Sequence, residues 1–202
     1  MLSFGANLTK EPSYEDVVRP RDLSICRLLF LGVDWERKGG KIALETLQLL
    51  TDAGIKAELT VCGCVPPTGV SHPKVTVIPF LSKRDPVQME RLVSLLRAST
   101  FLILPTRADA APIVFCEASA FGLPSIARDT GGVGGVVEDG INGYKVAPQE
   151  GAEAYAKLIL DVYGDRDRYR RLCITARQAY ERRLNWDAWG LGARRVLESV
   201  VT

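Results

Sequence analysis

Short apolar runs alternate with amphipathic segments along most of this chain. The runs CRLLFLG at 26–32 and FLIL at 101–104 have the length and composition of strands buried on both faces of a parallel sheet. Four further strand-like runs lie at 57–62, 75–78, 125–127 and 144–146. Helices are predicted between and after them, at 41–50, 87–96, 113–121, 150–162 and 166–183. This alternation predicts an α/β fold, a parallel sheet with helices on both faces.

The ends of the chain differ from this middle part. Residues 1–24 contain Pro12 and Pro20 and no sustained apolar period, so we interpret them as an interdomain linker or lead-in. Residues 25–183 then form the α/β domain. Residues 184–202 carry an amphipathic helix, and its apolar face requires a covering partner in this domain or another one.

Composition narrows the possible functions. With 26 basic and 24 acidic residues the charge is too balanced for nucleic acid to be the main partner. The sequence shows neither a membrane-spanning apolar run nor a secretory signal, so we expect a cytoplasmic protein. The five cysteines include no C-x-x-C pair and there is one histidine, His72, so we expect reduced, mostly buried cysteines and no metal site.

The most informative stretch runs from Asp109 to Pro124. Asp109 follows a predicted buried strand, and Glu117 lies eight residues further on, inside a helix that begins near Ile113. The free backbone N–H groups of Ile113 and Val114 at the start of this helix form an anion site. Two acids on either side of a bound phosphate are suited to bonding hydroxyl groups, the arrangement that a sugar–diphosphate–nucleoside requires.

Two other turns lie at the same predicted edge of the sheet, where parallel α/β sheets bind ligands. Arg37 and Lys38 precede a Gly-Gly pair after the first strand, which suits two cations that meet a diphosphate. The glycine turn, residues 131–135, follows the strand at 125–127. It either lets backbone approach a ligand closely or is purely structural.

Five of these elements occur in an order that resembles the C-terminal domain of the group 1 retaining glycosyltransferases. They are Lys38-Gly39, the pair Asp109 and Glu117, the helix end GLP at 122–124, Gly131-Gly132, and EDGING at 138–143. The resemblance implies a Rossmann-like domain that is one half of a GT-B enzyme. It implies transfer of a hexose-type sugar from a nucleoside-diphosphate sugar to an acceptor with retention, without cofactor or metal.

The resemblance also implies a role for each matching residue. Lys38, together with Arg37, would neutralise the diphosphate, and Asp109 would bond hydroxyls of the donor sugar, which makes Lys38 and Asp109 the catalytic candidates. The amides of Ile113 and Val114 would hold phosphate oxygens. Glu117 would bond the ribose hydroxyls, and Leu81 would contact the base.

The start of the chain extends the resemblance to a partner. Residues 3–7, SFGAN, resemble the segment that leads from the acceptor-binding domain of the family into the linker. We therefore expect an N-terminal acceptor-binding domain as partner and an inactive chain without it. Any peripheral contact with a membrane would be made through that domain alone.

Three departures from the family pattern keep alternatives open. Asp109 is one methylene shorter than the usual glutamate, Val33 stands where many members have arginine, and Pro112 replaces a common glycine and donates no N–H. A non-catalytic nucleotide-sugar-binding module and half of a nucleotide-sugar epimerase remain possible. A dinucleotide-binding oxidoreductase is disfavoured because the first strand is followed by GVDWER rather than G-x-G-x-x-G.

Overall fold

A parallel sheet of six strands forms the centre of the computed structural model, which describes residues 2–8 and 11–201. The strands follow the order β3-β2-β1-β4-β5-β6 across the sheet. Their bounds are Cys26–Leu31 (β1), Ala57–Cys62 (β2), Val75–Ile78 (β3), Phe101–Leu104 (β4), Ser125–Arg128 (β5) and Gly143–Val146 (β6). The predicted α/β fold with a parallel sheet is confirmed.

Helices connect the strands and continue beyond the last one. They are Tyr14–Val18 (α1), Trp35–Lys38 (α2), Gly40–Asp52 (α3), Pro86–Ala98 (α4), Ile113–Ala120 (α5), Ala152–Gly164 (α6), Arg166–Arg183 (α7) and Trp186–Val201 (α8). Side chains cap the starts of α1, α2, α4 and α7. The Asp85 side chain accepts from the amides of Val87 and Gln88 at the start of α4, with Pro86 at the first helical position.

Helix α1 lies inside the stretch that the sequence predicts to be irregular. Ser13 caps it by accepting from the Asp16 amide at 3.1 Å, and Val17 is buried against Gly122 at the end of α5. Five residues are too few to show a helical period, so this element has no detectable signature in the sequence.

The strand order places a topological switch point in the middle of the sheet. Strand β1 pairs with β2 on one side and with β4 on the other, both in parallel. The chain therefore leaves the carboxyl ends of β1 and β4 in opposite directions, which opens a crevice between the two following loops. Both strands are buried almost throughout, so the base of this crevice is rigid.

Much of the apolar face of helix α8 is exposed to solvent. Its first turn stacks near Phe4, with ring centroids of Phe4 and Trp186 5.7 Å apart. Further along, Leu191, Leu197 and Val200 are 59%, 67% and 78% exposed. The described part of the domain thus leaves most of the predicted apolar face open. No helix within residues 2–8 and 11–201 combines the length and hydropathy that crossing a bilayer requires.

Candidate functional site

The turn after β1 is built to bring Lys38 to the switch point. Asp34 caps the short helix α2 by accepting from the Arg37 amide at 3.0 Å, and Gly39 ends it in a left-handed conformation with φ 81°. A Cβ atom at Gly39 would lie 2.2 Å from the carbonyl oxygen of Pro105. Only glycine therefore allows α2 to pack this closely on the chain that leaves β4.

Lys38 and Asp109 meet across the crevice. The Lys38 Nζ atom lies 2.5 Å from Asp109 Oδ2, and the two side chains are only 13% and 11% exposed. The fold thus joins the two predicted catalytic candidates, 71 residues apart in sequence, in one charge-assisted hydrogen bond. In the free protein each neutralises the other.

Arg37 lies in a different environment from Lys38. Its Nη1 atom donates to the carbonyl oxygen of Ala108 at 2.9 Å, and its Nε atom lies 3.4 Å from Asp34 Oδ2. In addition, its own carbonyl accepts from the Arg107 amide at 2.8 Å. Arg37 therefore fixes the loop that carries Asp109, and its predicted contact with a diphosphate stays a prediction.

The glycine turn supports the same loop from the other side. The Gly132 amide donates to the Asp109 carbonyl at 2.7 Å. A Cβ atom at Gly131, whose φ is 51°, would lie 2.4 Å from that carbonyl oxygen, and one at Gly132 would lie 2.1 Å from the Ala110 oxygen. Of the two interpretations of this turn, the structure supports the structural one, because Gly131 and Gly132 lie against protein backbone.

Helix α5 begins at Ile113, as the sequence predicts, with its first amides beside the Asp109 loop. Pro112 is the N-cap residue and supplies no side-chain cap. The Ile113 amide donates to the Ala111 carbonyl at 2.9 Å, whereas the Val114 amide has no protein acceptor among the described residues. The Val114 amide is therefore the more accessible donor for an anion. The Ile113 amide would have to share its hydrogen bond between the anion and the Ala111 carbonyl.

Glu117 lies one turn into α5 and is almost completely buried. Its Oε1 atom forms an ion pair with Lys83 and accepts from the Asn7 amide at 3.3 Å. Burial raises the pKa of the Glu117 carboxyl, and the nearby Lys83 charge offsets part of that increase. A second ion pair thus holds a carboxylate of α5 itself, one turn after the helix begins.

Lys83 is the site residue that the sequence analysis missed. It lies 34 residues before Glu117 in the loop after β3, with no motif around it. The Ser82 amide fixes this loop by donating to Gln88 Oε1 of α4 at 2.8 Å. Leu81, the predicted base contact, is half-buried against the core in the same loop, beside the exposed Phe80.

The stretch at 138–143 has a structural explanation. The Nδ2 atom of the buried Asn142 side chain donates to Ser119 Oγ at 3.1 Å and to the Val136 carbonyl at 2.9 Å. Its Oδ1 atom accepts from the Glu138 amide at 2.8 Å. Asn142 thereby ties the segment before β6 to α5, the helix that carries Glu117.

Comparison with known proteins identifies relatives for most of this domain. Residues 26–165 match the family described as glycosyl transferases group 1. D-inositol 3-phosphate glycosyltransferase from Nocardia farcinica is 36% identical over 108 residues, which are 54% of this chain and 22% of that protein. The enzyme of the same name from Corynebacterium jeikeium is 34% identical over 121 residues, 58% of this chain and 24% of that protein. The chain thus matches less than a quarter of either relative's length.

Solved structures share the fold at low sequence identity. Sucrose-phosphate synthase from Thermosynechococcus elongatus superposes with a TM-score of 0.73 at 21% identity, over 95% of this chain and 49% of that one. WaaG, a glycosyltransferase involved in lipopolysaccharide biosynthesis, gives 0.74 at 21% identity, over 95% of this chain and 54% of that one. Anabaena HepE, solved in complex with UDP and glucose, gives 0.70 at 18% identity, over 98% and 55%.

Proposed function

The chain belongs to the group 1 glycosyltransferases, and we propose that it is the part of such an enzyme that binds the nucleoside-diphosphate-sugar donor. The observation that carries the proposal is a pair of carboxylates around the start of α5, each bound to a lysine. Asp109, paired with Lys38, lies in the loop before Ile113, and Glu117, paired with Lys83, lies one turn into the helix. The loops that carry Lys38, Lys83 and Asp109 follow the carboxyl ends of β1, β3 and β4, the edge of the sheet at which ligands of such folds bind.

Each part of a donor has a counterpart in this arrangement. The diphosphate would lie at the α5 N-terminus, where the Val114 amide and the helix dipole favour negative charge. Lys38 would exchange Asp109 for a phosphate oxygen, and Asp109 would turn to hydroxyls of the sugar. On the other side Glu117 would bond the ribose hydroxyls, with the base towards Leu81. HepE, which shares this fold, was solved in complex with UDP and glucose, which supports a nucleotide-sugar donor in general.

The proposed mechanism depends on fixed charges. As the bond between the sugar and the phosphate breaks, positive charge develops on the sugar carbon and negative charge on the departing phosphate. Once Lys38 has left Asp109 for the bound phosphate, Lys38 and the Val114 amide would stabilise the developing charge from fixed positions, which lowers the barrier. Transfer of the hexose with retention would take place on an acceptor held by a separate domain, and closure of that domain would exclude water. The proposal assigns no role to a metal ion or cofactor.

Thermal unfolding with nucleotides tests the binding step. UDP, GDP, ADP and NAD are each added to the chain. At about a hundred times its dissociation constant a ligand adds roughly 2.7 kcal/mol, or about 5–10 °C for a domain of this size. We expect a shift with one nucleoside diphosphate, loss of that shift in Lys38→Ala, and retention in Lys41→Ala, a matched change at an exposed lysine of α3. A shift with NAD alone, or an equal shift in both variants, would contradict the proposal.

A non-catalytic nucleotide-sugar-binding module is the second candidate, favoured by the pairing of Lys38 with the shortened Asp109. Val33, at a position where many members of the family have arginine, is exposed and carries no charge. The test is a product assay in the protein that includes an acceptor domain. Donor binding without transfer or hydrolysis would favour the module, transfer would favour the enzyme, and an epimerised donor would indicate an epimerase.

A further inference from the structure

Residues 3–7, here called the strap, run between α5 and α8 and contact α5 and the glycine turn. The Asn7 amide donates to Glu117 Oε1 at 3.3 Å. One residue before Glu117, the Cys116 thiol contacts the Phe4 carbonyl at 3.2 Å. At the other end, Ser3 Oγ donates to the Gly135 carbonyl of the glycine turn at 2.7 Å. The strap is thus joined to the helix that carries Glu117 and to the turn that supports Asp109.

The opposite side of the strap is fixed to α8 and the residues before it. Trp186 Nε1 donates to Asn7 Oδ1 at 3.2 Å, and the Ala6 amide donates to the Leu184 carbonyl at 3.1 Å. A Cβ atom at Gly5 would lie 2.3 Å from the Trp186 nitrogen, so backbone passes against backbone here. The backbone contacts of Gly5 and Ala6 hold the Asn7 amide in place and do not require the Asn7 side chain.

Glu117 has few partners that could orient its carboxylate. It is 2% exposed, and among the described residues its carboxylate contacts the Lys83 ammonium and the Asn7 amide. Lys83 is a flexible point charge on a side chain that is 39% exposed, and it can follow the carboxylate as it rotates. The Asn7 amide belongs to fixed backbone, so it determines which way the carboxylate faces.

We propose that the backbone N–H of Asn7 is a positioning group for Glu117, holding one carboxylate oxygen so that the other faces the ribose hydroxyls of the donor. This inference rests on the proposed function, in which Glu117 bonds the ribose. It assigns a role to the strap that concerns the ribose alone. The phosphates and the base bind to other elements and do not depend on it.

The experiment measures the affinity of two ligands by calorimetry. One is the nucleoside diphosphate that gives the shift in the unfolding panel, and the other is its 2′,3′-dideoxy analogue, which lacks both ribose hydroxyls. Asn7→Pro removes the N–H. Asn7→Ala keeps the N–H and removes the same side-chain contact with Trp186, and is the matched control. Gly5→Ala, which displaces the strap without altering Asn7, is an independent second variant.

We expect Asn7→Pro and Gly5→Ala to weaken binding of the ordinary diphosphate about tenfold or more, as for the loss of one hydrogen bond to a charged group. The dideoxy analogue should bind each variant as it binds the unsubstituted chain, and Asn7→Ala should stay within about twofold. Equal weakening of both ligands, or unchanged affinity in either folded variant, would overturn the inference. If Asn7→Pro does not fold, Gly5→Ala decides. If the unsubstituted chain binds no diphosphate, the proposed function itself fails.

Discussion

Replacing Lys38 by methionine is expected to destabilise the protein through the partner that it leaves behind. Asp109 Oδ2 has Lys38 Nζ as its neighbour at 2.5 Å, and the carboxylate side chain is 11% exposed. Methionine fills a similar volume but leaves that carboxylate without a cation. Removing one partner of a buried ion pair costs about 3–5 kcal/mol. Because both side chains keep slight exposure, we expect about 3 kcal/mol, or roughly 6–12 °C in melting temperature.

Urea unfolding at neutral pH measures this cost, and a double variant separates its two sources. In Lys38→Met with Asp109→Asn the stranded charge is gone, so the free energy of unfolding should return to within about 1 kcal/mol of the parent. With Asp109→Asn alone measured as well, the two single variants and the double variant give the interaction energy of the pair. Lys41→Met, at an exposed lysine paired with Glu45 at 3.7 Å, should change stability by less than about 0.5 kcal/mol.

One result would refute this reasoning. If Lys38→Met costs less than about 1 kcal/mol, the carboxylate is reaching water or another cation, and the pair is not the closed, dry contact described above. A double variant that is as unstable as the single one would place the loss in packing of the lysine stem, and not in the unpaired charge.

Three further predictions follow from burial and close packing. Burial raises the pKa of the Glu117 carboxyl in the folded protein above its unfolded value of 4.5, so the free energy of unfolding falls as the pH rises between the two values. Glu117→Gln should therefore be more stable than the parent at neutral pH. Below the unfolded pKa the denaturation curves of the parent and of Glu117→Gln should converge. Gly132→Ala should lower the melting temperature because its Cβ atom would lie 2.1 Å from a carbonyl oxygen, whereas Gly134→Ala, with 3.6 Å to its nearest neighbour, should not; equal melting would contradict this. A thiol reagent should label Cys64 rapidly and the other four of the five cysteines only after unfolding, since those four are buried; two fast thiols would contradict it.

The sequence predicts the sheet and the long helices well because their signal is local. The apolar run of β1 and the uninterrupted FLIL of β4 are what strands buried on both faces require, and both lie where predicted. Helix α7 has the predicted bounds. Helix α2 was missed because it has four residues, less than the length over which a helical period can be recognised.

The residues of the candidate site also differ in how far the sequence predicts them. Lys38 and Asp109 are predictable as neighbours because both follow strands whose carboxyl ends lie side by side at the switch point. Lys83 and the Asn7 amide are not predictable in this way. Lys83 and Asn7 contact Glu117 through the packing of loops, at separations of 34 and 110 residues along the chain. No sequence pattern around a lysine or a backbone amide indicates such a contact. Only the three-dimensional structure shows that Glu117 is held by two groups.

The two ion pairs have a consequence for how a donor would bind. Each pair is internally neutral, so neither cation is free for the phosphates until its carboxylate finds another partner. A nucleoside diphosphate alone would take Lys38 from Asp109 and leave a nearly buried carboxylate unpaired, which is costly. A diphosphate that carries its sugar offers hydroxyls to Asp109 at the same moment. Under the proposed function the Lys38–Asp109 contact therefore couples the sugar and the diphosphate of the donor, because the phosphate is held more tightly when the sugar is present than in the nucleoside diphosphate alone.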